Sequence, residues 1–349
     1  MDFAFSEEQE LLRGSAREFL AEQYPLERVG EIVDNEPGWA PQSWKQLADL
    51  GWLDAELGLL DQVVVFEEAG YGLLPAPLFS ALALALPAIE RDQALLDSLA
   101  AGELRPTLAW AQQGQRQELR VAAEGAAVAV DGDGRVHGQA VLVPDATTAS
   151  AFVVVTIDGL RLVDAGDARV TPRATTDRTR RLGDVSFTLA PSVLLVPAAD
   201  TPAVLAAIER RALVLAAAEA IGVARRAVDI AVEYASTREQ FGRPIGSYQA
   251  VSHQVVDAYA ATELARSLTY WAGWAVAESD ELADAACSAA KSSAAEAAVL
   301  ACERAIQVCG GIGFTWEHVL HRLYKRALWL EAFGGSGRDH RARIAEAIL

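Results

Sequence analysis

The chain has 349 residues, 52% of them hydrophobic, and a formal net charge of −18. That length exceeds one compact domain and points to two or three sharing interfaces. The charge excludes general attraction to DNA, RNA or an anionic leaflet, so any anionic ligand needs local basic residues. The longest apolar runs, such as Ala212 to Ala218, are Ala-rich, short and soon ended by Glu219, which reads against a membrane span. The N-terminal MDFAFSEEQE has no basic stretch leading into an apolar one, so the expected location is the cytoplasm. Cys287, Cys302 and Cys309 are odd in number and lie in Ala-rich helical sequence without CxxC spacing, which reads as buried, inert thiols.

Residues 1 to about 104 carry helical signals. Ser6 stands before Glu7, Glu8 and Gln9 as an N-cap with an acidic first turn, and Leu11, Leu12, Ala16 and Phe19 follow at helical spacing. Ser43 to Leu50, Leu60 to Ala69 and Pro87 to Ala101 repeat that character.

From about 105 to 196 the period shortens. Ala126 to Val130, Arg135 to Val143, Ala151 to Thr156, Leu160 to Val163 and Val185 to Leu189 are β-rich runs, parted by the turn signals Asp131-Gly-Asp-Gly134 and Asp158-Gly159. They predict a small antiparallel barrel or sandwich.

From about 197 to 349 the helical period returns. Thr201 and Pro202 read as N-cap and first-turn proline of a helix running to Thr237. Gly242, Pro244 and Gly246 then break the chain. A second helix is predicted from Tyr248 to Glu278, with Val251, Val255, Ala258, Thr262, Ala265 and Thr269 on one seam, and a third from Asp280 to Cys309. Long Ala-rich helices with short connections imply a close-packed antiparallel bundle. The expected class is therefore α+β: a helical N-terminal domain, a small antiparallel β-domain and a C-terminal four-helix bundle.

Two punctuation points carry chemistry. In Arg238-Glu-Gln-Phe-Gly-Arg-Pro-Ile-Gly246, an arginine at a helix end beside a Gly/Pro loop offers a planar fork to a phosphate, with Phe241 as an aromatic surface. A helix C-cap with a solvated arginine is the alternative. In Gln307-Val-Cys-Gly-Gly-Ile-Gly313-Phe, close-set glycines let backbone amides approach a ligand; a Gly-rich helix stop is the alternative. His137, His253, His318, His321 and His340 form no set with metal-ligand spacing, and no metal site is expected.

In order and spacing, FSEEQELLRGSAREFL, STREQFGRPIGSYQ and QVCGGIGF resemble the acyl-CoA dehydrogenase family over nearly the whole chain. The resemblance implies FAD, with Arg238, Gln240, Phe241, Ile245, Tyr248, Gln249, Gln307, Val308, Gly310 and Gly311 gripping the adenine and pyrophosphate half of a flavin held mainly by the adjacent subunit. It also implies an acyl-CoA substrate, a glutamate base that removes the α-proton while hydride passes to the flavin, and electron-transfer flavoprotein as acceptor.

Departures from the family pattern shape the expectation. The family's usual YEGT-like segment reads Ala332-Phe333-Gly334-Gly335-Ser336 here, with Gly334 at the glutamate's place, and the alternative position on the first long helix is Ala212. Glu209, Glu219 and Glu331 are the nearby carboxylates. They remain weak catalytic candidates, and the helix pair, Glu209 and Glu219, reads as surface or interface charges. The segments that line the flavin ring in the family correspond to Thr107–Gly114 and Ala140–Ala146 and keep neither motif. Such a pattern resembles the smaller subunit of actinobacterial heterotetrameric steroid side-chain acyl-CoA dehydrogenases and implies a paralogous partner in an α2β2 assembly. A self-sufficient homotetrameric dehydrogenase and a non-enzymatic scaffold are the alternatives.

Overall fold

The computed structural model describes residues 5–112, 119, 126 and 128–349. Chain contacts divide it into two compact units, one containing the chain up to Gly38, Leu59–Leu74 and Leu213–Leu349, the other Trp39–Gly58 and Pro75–Ala212.

The first unit holds α1 (Glu7–Gln23), α2 (Leu26–Asp34), α4 (Leu59–Tyr71), the latter part of α7 (Thr201–Thr237), α8 (Gln249–Ala277), α9 (Ala283–Cys309), α10 (Leu320–Ala332) and α11 (Gly337–Ile348). Ser6 caps α1 as its sequence predicts: its Oγ accepts from Gln9 N at 3.1 Å, and Gln9 Oε1 accepts from Ser6 N at 3.2 Å. Thr201 does not cap α7. It is already helical, and its hydroxyl donates to the Pro197 carbonyl at 3.0 Å. Ala258, Thr262, Ala265 and Thr269 are the buried seam of α8, while Val251 and Val255 are only half-buried.

Helices α4 and α7 cross at contact distance because each puts a glycine at the crossing. A Cβ on Gly222 would overlap the Glu67 carbonyl oxygen and lie 2.6 Å from Tyr71 N, and one on Gly70 would overlap the Glu219 carbonyl oxygen. Glu67 and Glu68, inside the apolar run VVVFEEAG, are both 1% exposed. Glu68 accepts from Arg17 at 2.8 and 3.1 Å and also meets Arg225. Glu67 gathers Arg225, Arg266 and the Tyr270 hydroxyl. Burial, with Glu67 alongside, pushes the Tyr270 hydroxyl well above its ordinary pKa. This network satisfies the two buried carboxylates, as burial of charge requires.

By length and composition, Ala283–Phe314 would suffice to cross a bilayer, against the expectation from the short apolar runs of the sequence. Most α9 positions, from Ala283 through Ala305 to Cys309, are buried, and α9 packs against α8, α10 and α11. The Ala-rich character thus serves close helix packing.

The second unit holds α3 (Pro41–Asp49), a π-helical stretch Phe79–Ala85 running into α5 (Leu86–Ile89), α6 (Gln93–Ala100), the first turns of α7 and two four-stranded sheets. In strand order these are β1 (Pro106–Ala109), β4 (Ala151–Thr156), β5 (Gly159–Asp164) and β8 (Val193–Pro197), then β2 (Val128–Val130), β3 (Val136–Pro144), β7 (Leu182–Ala190) and β6 (Ala168–Arg173). Phe152, Val154 and Val163 from one sheet share a core with Val136, Val143 and Phe187 from the other. Strands β1, β6 and β8 escaped the sequence reading, and Ala127 of the first predicted run lies outside the described residues. The β1–β4 pair is parallel, against the antiparallel expectation; all other pairs among the described residues are antiparallel. Between β1 and β4 the chain crosses to the other sheet, so no hairpin constrains their direction.

Candidate functional site

At the end of α7 the chain makes a tight hairpin, β9 (Glu239–Gln240) against β10 (Arg243–Pro244), that brings five of the sequence-predicted residues together. Ile245 N donates to Arg238 O at 2.8 Å, and the Tyr248 hydroxyl donates to Gln240 O at 3.1 Å. The Phe241 and Tyr248 rings meet edge to face at 6.4 Å, and the Arg243 guanidinium lies 4.1 Å from the Tyr248 ring centroid. Phe241, at φ 54°, is 93% exposed, and the side chains of Arg238, Gln240 and Gln249 are also exposed. A left-handed, bulky residue whose ring is left in water is strained and unpacked, a combination that packing within the chain does not reward.

The other segment ends α9. Gln307 is exposed, whereas Val308 is buried in the bundle, so its side chain is not presented to a ligand. Gly310 adopts φ 62°, which stops the helix. Gly311 has no positive φ, and a Cβ there would touch nothing. Neither turn geometry nor packing inside the chain therefore requires its missing side chain.

The carboxylate candidates are placed otherwise than the sequence suggested. Glu209 and Glu219 are buried, at 3% and 4% exposure, and are not surface charges; they fall in different compact units. Glu219 is ion-paired with Arg326 of α10, itself 2% exposed. The helical period fixes which residues share a face, but whether that face meets water depends on the helices packed on it. Glu331 is half-buried on α10, and its carbonyl accepts from Lys291 Nζ at 2.8 Å. Lys291 also donates to Gly335 O at 2.5 Å, and burial lowers its amine to about 8. Gly334 takes φ 69°, and a Cβ there would lie 2.9 Å from Leu213 Cδ2. The resemblance would put a base at Gly334 or at Ala212, the residue before Leu213. Neither carries a carboxylate.

The segments corresponding to the flavin-ring lining are packed into this chain's own interior. Thr107, Leu108 and Ala109 are wholly buried, and Trp110 and Ala111 nearly so. Thr107 Oγ1 donates to Pro144 O at 2.7 Å, and Val141 N donates to Ala111 O at 3.0 Å, so the two segments bind each other. Trp110 Nε1 finds no acceptor among the described residues. Asp145, 7% exposed, bonds the Ser80 hydroxyl and pairs with Arg180 at 3.8 Å. Gln113 and Gly114 lie outside the described residues.

The three cysteines are buried thiols, and burial raises Cys309 to about 11 and Cys302 higher still, so neither of those two is a thiolate at neutral pH. Sequence reasoning passed over two exposed aromatics next to the glycine turn, Phe314 and Trp316, at 85% and 60%. Only their exposure distinguishes them from core aromatics.

This helix–sheet–helix chain, with one surface hairpin and one glycine turn at the ends of bundle helices, is matched from residue 205 to 349 by the model of the acyl-CoA dehydrogenase C-terminal domain. It is 31% identical to acyl-CoA dehydrogenase IpdE2 of Mycobacterium tuberculosis, over 92% of this chain and 91% of that one. The chain belongs to the acyl-CoA dehydrogenase family. Within it, the fold superposes on a chain of the ChsE4-ChsE5 complex from Mycobacterium tuberculosis with TM-score 0.87 and 28% identity, over 99% of this chain and 98% of that one. A Tcur3481-Tcur3483 steroid acyl-CoA dehydrogenase variant superposes with TM-score 0.86 and 30% identity, over 98% of each chain. The resemblance to the small subunits of actinobacterial steroid enzymes therefore holds in sequence and in fold.

Proposed function

We propose that this chain is the base-lacking subunit of an FAD-dependent acyl-CoA dehydrogenase, which completes a flavin site and active site with a paralogous partner in an α2β2 assembly. The carrying observation is an asymmetry. The segments suited to the adenine and pyrophosphate half of a dinucleotide lie open at the surface, while those corresponding to the ring lining are consumed by this chain's own core.

Arg238 supplies a charged fork for a pyrophosphate, Gly311 leaves its backbone open to close approach, and Phe241 offers a ring face. FAD, when bound, supplies the hydride acceptor for α,β-dehydrogenation of the thioester. The α-proton goes to a carboxylate of the partner, because neither Gly334 nor Ala212 carries one and Glu219 is engaged by Arg326. Related chains whose names include a steroid acyl-CoA dehydrogenase support a bulky, steroid-derived acyl-CoA as substrate class. A cytoplasmic location and electron-transfer flavoprotein as acceptor complete the proposal.

The test is flavin stoichiometry. Purified alone, the chain should hold little FAD, and co-expressed with its paralogue it should yield a yellow complex. Arg238→Ala removes a charge-assisted hydrogen bond of about 1.5–3 kcal/mol, so flavin retention in the complex should fall roughly tenfold or more. An isolated chain that binds FAD stoichiometrically and oxidises an acyl-CoA overturns the reading.

A further inference from the structure

Helices α1, α2, α4 and α7 of the first unit enclose a recess of about 170 Å³, none of whose lining residues belongs to the segments assigned above to flavin or substrate. Its apolar wall is Leu20, Tyr24 and Leu26, all buried. Its polar wall is Arg17, Glu68, Tyr71 and Arg226. A cavity of about 150 Å³ takes up one benzene molecule, so the recess has room for a small ring or a short chain and is far too small for a coenzyme A thioester or a dinucleotide.

The charges on the polar wall do not cancel. Glu68 is satisfied, since its two oxygens accept from Arg17 at 2.8 and 3.1 Å and Arg225 adds a third bond at 3.2 Å. Arg226 is not. It donates to the Tyr71 hydroxyl at 3.1 Å, and that hydroxyl donates in turn to Asp229 Oδ2 at 2.8 Å. Among the described residues Arg226 makes no ion pair, and its buried Nε has no acceptor. Glu27, the remaining carboxylate of the lining, is exposed and screened by water.

A guanidinium set into protein normally has its counter-ion. This chain has 48 acidic residues against 30 basic ones, so a carboxylate for Arg226 is not lacking for want of supply. The side chain is also held in place, because the Arg225 and Arg226 guanidiniums lie 5.5 and 5.0 Å from the Tyr71 ring centroid. A fixed cation with free donors beside an apolar wall is preorganised for an anion that carries a hydrocarbon part. We propose that this recess binds a small organic carboxylate, its charged end on Arg226 and its ring or short chain against Leu20, Tyr24 and Leu26.

The test titrates the full chain with benzoate and, separately, hexanoate by isothermal calorimetry. Both should bind saturably, in the millimolar range or below, and raise the melting temperature. Benzyl alcohol keeps the ring and lacks the charge, and it should bind about tenfold or more weakly than benzoate. Inorganic phosphate has the charge without the hydrocarbon and should not displace benzoate. Arg226→Met keeps the aliphatic bulk and removes the fork, so benzoate affinity should fall about tenfold or more. Ala21→Trp, on the exposed side of α1, fills the recess with Arg226 intact and should abolish binding; it carries the test if the Arg226 variant loses its circular dichroism spectrum.

Failure of both carboxylates to bind overturns the proposal, as does benzoate affinity that Ala21→Trp leaves unchanged. Phosphate that binds as tightly as benzoate and is lost in Arg226→Met replaces the site by one for a bare anion. Benzoate that binds the isolated chain but not its co-expressed complex assigns the recess to the partner subunit instead. Flavin retention in the complex should be the same with Arg226→Met as with wild type, so loss of benzoate binding and loss of flavin are read separately.

Discussion

Replacing Glu219 by Gln should unfold this protein before it slows catalysis. Glu219 and Arg326 are both almost fully buried and are ion-paired across α7 and α10. Glutamine keeps the shape and removes the charge, leaving a guanidinium in the interior without its counter-ion. Breaking a buried pair from one side costs about 3–5 kcal/mol, against a total stability of roughly 5–15 kcal/mol for a folded domain. Arg326→Met should cost as much for the mirrored reason. Glu219→Met combined with Arg326→Met removes both charges together and should cost less than either single change, because the desolvation penalty of the pair disappears with it.

Urea unfolding followed by circular dichroism, on the four proteins in parallel, reads the cycle. Turnover of the folded, flavin-loaded Glu219→Gln complex, assayed below its melting temperature, should stay near wild type. Loss of a true general base would cost on the order of a hundredfold or more. A folded, flavin-loaded Glu219→Gln complex that has lost such activity refutes the reasoning and makes Glu219 catalytic. A single variant within about 1 kcal/mol of wild type refutes the energetic role assigned to the pair.

His340 is fully buried, and burial together with Lys291 and Arg343 lowers it to about 3. Its folded pKa lies below the unfolded value, so the stability it contributes is complete above about 6.5 and is lost as pH falls toward 3. Between pH 7.5 and 5.5 the wild type should lose roughly 1.4 kcal/mol more than His340→Leu, and parallel urea curves for the two proteins at both pH values would contradict this. Gly222→Ala would gain about 1 kcal/mol in an ordinary helix, but here the added methyl overlaps backbone of α4. A net loss of about 2 kcal/mol or more is expected, and a raised melting temperature would show that the helices part without cost.

Several features of this protein were legible in the sequence because they are written locally. Ser6 with Gln9 three residues on specifies its own capping box, whatever the rest of the chain does. The helical period along Ala258, Thr262, Ala265 and Thr269 names the buried seam of α8 because 3.6 residues per turn is a property of the backbone. The hairpin after Thr237 and the glycine turn after Cys309 announce themselves through Gly and Pro, which act on the dihedrals of their immediate neighbours.

Tertiary structure decided what depends on residues far apart in the chain. Glu67 and Glu68 read as interruptions of an apolar run until Arg17, Arg225, Arg266 and Tyr270 arrive from three other helices to satisfy them. Glu209 and Glu219 have the same helical spacing whether their faces meet water or protein, so their burial was settled only by packing around α7. Strand β1 runs parallel to β4 because the intervening chain crosses between sheets, a matter no local pattern encodes. The convergence of Gly334 with Leu213, and the exposure of Phe314 and Trp316, are likewise products of how helices meet, since a side chain's partners in space are chosen by the whole fold and its conformation only by its neighbours in sequence.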